Sequence, residues 1–174
     1  MSGSDRDRDV TGRARQARPR DALGRPLPYG ASGVEPVSED PLPPHETVAE
    51  AWRLIAEGRP FSAHEVLEAR WKAGPPQERH LWQGLAQICV GLTHAARGNG
   101  VGAVRLVERG AGRLHEYERA GGPTYGLDLP AVRACAERRV LVLTDDRSPD
   151  DAQARQSKLR EGPAGGPEAR SDHA

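Results

Sequence analysis

The chain has 174 residues, a length that suits about one domain, and 25 Lys+Arg balance 25 Asp+Glu to give a formal net charge of zero. That balance argues against a nucleic-acid or membrane-surface binder, which would need an excess of basic charge. Only 4% of residues are aromatic while Gly and Pro number 20 and 15, a bias that predicts a small core between unfolded ends, and the lack of a long apolar run or hydrophobic leader predicts a cytoplasmic protein with no membrane span.

Residues 1–44 begin with alternating Asp and Arg and continue with scattered Arg, Pro and Gly. No periodic apolar face can be drawn there, so burial would not offset the entropy of ordering, and a disordered tail is expected. Its seven Arg are cancelled by seven acids, which favours a solvated tail over a basic docking arm. The first helix is predicted over 45–57, with Val48, Ala51, Trp52 and Ile55 as its apolar stripe and Gly58 as its stop. The second is predicted over 63–73, with Ser62-x-x-Glu65 as a capping box and Phe61 stapled onto Val66.

The third helix is predicted over 77–97. No formal charge falls between Arg79 and Arg97, and Leu81, Leu85, Ile88 and Leu92 share a face beside Trp82 and Cys89. This helix is therefore expected at the centre. Gly84, Gly91 and Gly98 recur every seven residues, a spacing that lets a neighbouring backbone come close. After the break at Gly98-Asn99-Gly100, a fourth helix over 101–118 is expected to bury Ala103, Val107, Gly110 and Leu114. A fifth starts from Asp128 as N-cap, with Pro130 in its first turn, and runs to about Leu141. Val140–Leu143 also reads as a strand but has no partner strand. Cys89 and Cys135 both lie in apolar helical patterns and are expected as buried, reduced thiols. The predicted organisation is a tail over 1–44, a helical domain over 45–143 and a second disordered tail over 144–174.

A repeat appears at an offset of 40, where Gly58, Ala63, Val66, Leu67 and Glu68 lie over Gly98, Ala103, Leu106, Val107 and Glu108. Each half reads as helix, Gly-centred turn, helix, which is the logic of a tetratricopeptide-like pair. Two pairs are too few for a solenoid, so the expected fold is all-α, a single small bundle of about five helices.

The polar residues inside these helices are the candidates for chemistry. His64, Glu68 and Trp71 share one face of the second helix, and Gln83, Gln87 and His94 one stripe of the third. If the two helices run antiparallel, His64, Glu68, Gln83, Gln87 and His94 line one pocket with Trp71 as a wall. Three readings apply to such a pocket. One is a satisfied buried hydrogen-bond network. Another is a divalent-metal site with His64, Glu68 and His94 as ligands. The last is a small-ligand or acid/base pocket in which His64 and Glu68 polarise each other. Neither the Glu-x-x-His pairing of bundle di-metal sites nor His-Glu-x-x-His is present. Gly98-x-Gly100-x-x-Ala103 follows a helix and not a strand, so it reads as a helix break and not a dinucleotide loop. His45, His80 and His115 are expected at the surface.

Phe61-x-x-His64-Glu65-x-Leu67-Glu68-x-x-Trp71, Gln83-Gly84-Leu85-x-Gln87 and His94-x-x-Arg97-Gly98-Asn99-x-x-Gly102-Ala103 together resemble a bacterial and archaeal family, "domain of unknown function 309". Leu114 and Tyr125-Gly126-x-Asp128 extend the resemblance to about residues 48–132, and Ala86 departs from it where a bulkier aliphatic is usual. The resemblance implies a small all-helical cytosolic domain and carries no catalytic residue with it. It places His64, Glu65, Glu68, Trp71, Gln83, Gln87, His94 and Asn99 in the signature. The resulting expectation is a non-enzymatic module that binds a protein partner or small ligand, with no cofactor, no nucleic acid and room for a homo-oligomer. The alternative is a metal-dependent hydrolase or redox enzyme using His64, Glu68 and His94.

Overall fold

Pro44 and Pro60 open the first two helices. A proline at the first helical position already has helical φ and lacks only an N–H that would go unbonded there. The structure, a computed structural model, describes residues 18–145. Its helices are α1 (Pro44–Ala56), α2 (Pro60–Ala73), α3 (Arg79–Ala96), α4 (Gly100–Ala120) and α5 (Leu129–Asp145), with a 3-10 turn at Pro76–Glu78 before α3. The tail assignments for 1–17 and 146–174 lie outside the described residues.

The fold is an all-α bundle in which successive helices pack on one another and α3 also meets α5. Helix α3 is central, and Leu81, Trp82, Leu85, Ile88, Cys89 and Leu92 are all buried. Of the heptad glycines, Gly84 and Gly91 meet α4 closely as their spacing implied, while Gly98 serves the turn after α3. A Cβ on Gly110 would lie 2.7 Å from the Gly84 carbonyl oxygen, and one on Gly91 2.7 Å from Val107. Helices α3 and α4 therefore touch nearly backbone to backbone. Among the described residues no helix is long and apolar enough to cross a membrane.

The repeat is visible in the turn geometry. Gly58 and Gly98 have φ of 73° and 89°. After α1 the N–H groups of Gly58 and Arg59 donate to the carbonyls of Ile55 (3.1 Å) and Leu54 (2.8 Å); after α3 those of Gly98 and Asn99 donate to Ala95 and His94 (both 2.9 Å). This is the Schellman ending, which satisfies the last carbonyls of a helix. The aligned Ala63 and Ala103 are both 0% exposed.

Four local expectations are corrected. Helix α2 starts at Pro60, so the capping box does not form. Ser62 already lies inside the helix, buried, and accepts a bond from Arg59 Nη2 (3.3 Å). Phe61 is likewise within the helix and not ahead of a cap. Helix α1 buries Thr47, Ala51 and Leu54, while Trp52 is 41% exposed. The apolar arc is wider than its contact, and Leu54 takes the inner position. Thr47 is buried without an orphaned hydroxyl because Oγ1 donates to the Leu42 and Pro43 carbonyls (3.0 Å each). Helix α5 continues through Val140–Leu143, in keeping with the lack of a partner strand. It buries Leu129, Ala136 and Val140, which puts Cys135 on its exposed face while Cys89 stays buried. Asp128 does cap α5, accepting from the Ala131 N–H at 2.9 Å.

Residues 18–43 contain neither helix nor strand, but they pack on the helices. Val37 and Leu42 lie against the core. Upstream, Asp21 Oδ1 accepts from the N–H groups of Leu23 (3.0 Å) and Arg25 (2.8 Å), folding a tight turn. The helices begin near residue 44, and the packed body extends N-terminal of them.

Candidate functional site

The most connected polar group is one the sequence reading passed over. Glu78 closes the 3-10 turn and is buried. Its carboxylate accepts from Trp82 Nε1 (2.8 Å), Arg70 Nη2 (3.2 Å) and Tyr125 Oη (2.5 Å). Tyr125 stacks on Trp82 with ring centroids 5.7 Å apart, and His45 meets Tyr125 edge-on at 5.4 Å. The Arg70 guanidinium lies 5.6 Å over the Trp82 ring. Burial pushes the Glu78 carboxyl up, but the bonds from Tyr125, Trp82 and Arg70 outweigh it and hold it below its ordinary value. The cluster joins α1, α2, α3 and the α4–α5 loop. Its sequence signal was an acid one helical turn before Trp82, ahead of a helix with no formal charge after Arg79.

The expected meeting of two polar stripes does not occur. Gln83 and Gln87 face α4, where their Oε1 atoms accept from Arg113 Nη1 (3.0 Å) and Nε (3.2 Å). His94 Nδ1 lies 3.0 Å from Asn99 Nδ2, and Asn99 Oδ1 accepts from the Gly102 N–H at 2.9 Å, capping α4. His64 and Glu68 do pair, with Nε2 and Oε2 3.8 Å apart, and Lys72 Nζ lies 2.9 Å from the other oxygen of Glu68. His64 Nδ1 is buried with no hydrogen-bond partner. Burial pushes the imidazole below its ordinary value, Glu68 opposes that and Lys72 adds to it. Trp71 is half-buried against the core. Among the described residues no three His, Cys, Asp or Glu side chains are grouped to hold a metal ion. Gln83 and Gln87 share Arg113, and His64 and Glu68 face each other, but helical spacing does not say which neighbour a face meets.

His80 and His115 are exposed and pair with Glu116 (3.0 Å) and Glu118 (3.9 Å). His45 is exposed too.

The start of α2 carries a different kind of contact. The Arg20 guanidinium sits 5.3 Å over the Phe61 ring. Gly24 is buried against that ring, and a Cβ there would lie 2.2 Å from Phe61 Cγ. Arg97 Nε, at the end of α3, donates to the Leu23 carbonyl at 3.0 Å, and its Nη2 bonds the same oxygen. Burial pushes the Glu65 carboxyl up, and the charge of Arg20 pulls it back. Downstream, Arg59 Nη2 donates to the Glu35 carbonyl at 2.6 Å, beside a groove of about 410 Å³ whose lining includes Val37, Leu42, Glu50, Arg53 and Val66.

These residues can be set beside known proteins. Residues 48–106 match the family model "Domain of unknown function (DUF309)". The match shows the resemblance carried by Phe61, His64, Trp71, Gln83 and Arg97. The chain is also similar to the "Uncharacterized protein YpuF" of Bacillus subtilis (strain 168), 39% identical over 69 residues, which is 39% of each chain. It therefore spans about two fifths of that relative's length. No solved structure matches. The DUF309 stretch contains α2 and α3 entire, including Phe61 and Arg97, but not Arg20, Leu23 and Gly24, which those two side chains contact.

Proposed function

We propose that this chain is a non-enzymatic, cytoplasmic interaction module of paired helices, arranged in the tetratricopeptide manner, that binds protein segments on the outer surface of α2 and α3. One observation carries the reading: Phe61 and Arg97, both in the DUF309 stretch, grip a non-helical segment from outside it. Of the other signature residues, Gln83 and Gln87 bond to Arg113 and Asn99 caps α4, which fits scaffold roles for these three. The metal-dependent hydrolase or redox reading requires His64, Glu68 and His94 on one centre, and His94 lies against Asn99.

Hydrogen exchange on the full chain tests the reading. In a Phe61→Ala/Arg97→Ala protein, the amides of Leu27 and Val34, which bond to Pro19 and Arg20 carbonyls, should lose at least about tenfold in protection while those of α3 keep theirs. Unchanged protection at Leu27 and Val34 would refute the reading. So would a bound metal in chelator-free protein that is lost in His64→Ala, which would restore the enzyme reading.

A further inference from the structure

We infer that the α2–α3 surface formed by Phe61, Glu65 and Arg97 is a docking site for a turn-forming, arginine-bearing peptide, and that residues 18–34 occupy it in cis as a built-in competitor. The inference rests on the interaction-module reading and names its ligand class and its regulation.

The contacts are of the kind that recognise peptides. Arg97 reads a main-chain carbonyl, that of Leu23, which any sequence can offer. Phe61 takes a guanidinium on its face, a cation–π contact that selects arginine. Glu65, one helical turn on, adds a negative charge that acts on the same Arg20. Main-chain bonds supply affinity and side-chain contacts supply choice, as in other modes of peptide capture.

The occupant has the properties of a ligand. Its shape is kept by its own bonds. Asp21 Oδ1 accepts two N–H groups, Arg20 Nη1 donates to the Gly24 carbonyl (2.6 Å), and the Val34 N–H donates to the Arg20 carbonyl (2.8 Å). A segment ordered in this way docks with little further loss of conformational freedom. It also has a strict shape requirement. Gly24 has φ of +75° and no space for a Cβ above Phe61, so glycine is required four residues after the arginine. Residues 35–43 link the segment to α1, and a short tether gives an effective concentration of about millimolar. A free peptide of micromolar affinity would then bind the wild-type chain about a hundredfold to a thousandfold more weakly than an open site.

The test uses the full chain and a fluorescein-labelled peptide with the sequence of residues 18–35, followed by fluorescence anisotropy. Gly24→Val should expel the cis segment, and the peptide should bind that chain at least about tenfold more tightly than it binds wild type. Adding Phe61→Ala to Gly24→Val should abolish the gain, and a scrambled peptide should bind neither chain. If Gly24→Val fails to fold, Arg20→Glu opens the site instead, because it removes the cation from Phe61 and sets a like charge against Glu65. Equal binding to wild type and to both opened chains would overturn the inference, as would no binding to either or equal binding of the scrambled peptide. So would unfolding of the bundle by both substitutions, which would make the segment an integral part of the core. Loss of protection in the cis segment, the strap over Phe61, in Phe61→Ala/Arg97→Ala together with failure of the peptide to bind would sink this inference alone. Unchanged strap protection would sink the module reading beneath it.

Discussion

Replacing Glu78 with alanine gives the sharpest test of the cluster at the base of α3. Three donors lose their acceptor at once. They do not contribute equally. Trp82 is 0% exposed, so its indole N–H has no water to turn to. Tyr125 is half-exposed and its hydroxyl can rebond to solvent. Arg70 keeps its place over the Trp82 ring but leaves a largely buried cation without its counter-charge, its side chain being 16% exposed. Breaking a buried ion pair from one side costs about 3–5 kcal/mol, and that is the expected loss for Glu78→Ala. For a packed body of this size the loss lowers Tm by roughly 10–20 °C. Glu78→Gln keeps one acceptor and loses the charge, so about 1–2 kcal/mol is expected. Urea unfolding followed by circular dichroism measures both. A loss below about 1 kcal/mol in Glu78→Ala, or equal losses in the two variants, would refute the assignment of Glu78 as the central acceptor. The same carboxyl sets an acid limit. Its folded pKa is held below its ordinary value, so the stability it contributes is present above that value and lost as pH falls through the lowered one. Glu78→Gln should lack this part of the acid sensitivity.

Three further outcomes are expected. Gly110→Ala drives a Cβ to 2.7 Å from the Gly84 carbonyl and should cost about 1–3 kcal/mol, whereas Gly112→Ala has open space and should gain about 0.5–1 kcal/mol; thermal melts that rank them otherwise would contradict the α3–α4 approach. His64 is held below its ordinary pKa of 6.5 chiefly by burial, so folding loses stability as pH drops through that value, and the stability of His64→Leu relative to wild type should rise between pH 7.5 and 5.5 in urea titrations. Cys135 is exposed, while burial pushes the Cys89 thiol up to about 12; a thiol reagent should label one cysteine of the native protein and the second only on unfolding.

Much of the scaffold was legible because its signals are local. The uncharged run of α3, the Gly58 and Gly98 stops and the Asp128 cap all act within a turn or two of chain. The repeat was legible for the same reason, since equivalent Schellman endings need equivalent glycines. The misplaced details came from competition between local signals. Pro60 overrode a capping box two residues later, and Leu54 displaced Trp52 from the inner face of α1. What could not be read was pairing across distance. Tyr125 reaches Glu78 from 47 residues away, and Arg113 reaches Gln83 from 30. Helical periodicity gathers Gln83 and Gln87 on one face but cannot say that the face meets α4 instead of α2. The segment held by Phe61 and Arg97 was hidden in another way, because its order comes from one Asx turn and a glycine and not from any apolar period.

The packing of each helix on its chain neighbours has a consequence for how the protein comes into being. Bundles dominated by local contacts fold in about microseconds to milliseconds. The bond from Arg97 to Leu23, by contrast, spans 74 residues. Residues 18–34 are made before α1, α2 and α3, and half of their landing surface does not exist until residue 97 is added. The bond from Arg97 to Leu23 can therefore close only after α1, α2 and α3 have all been made.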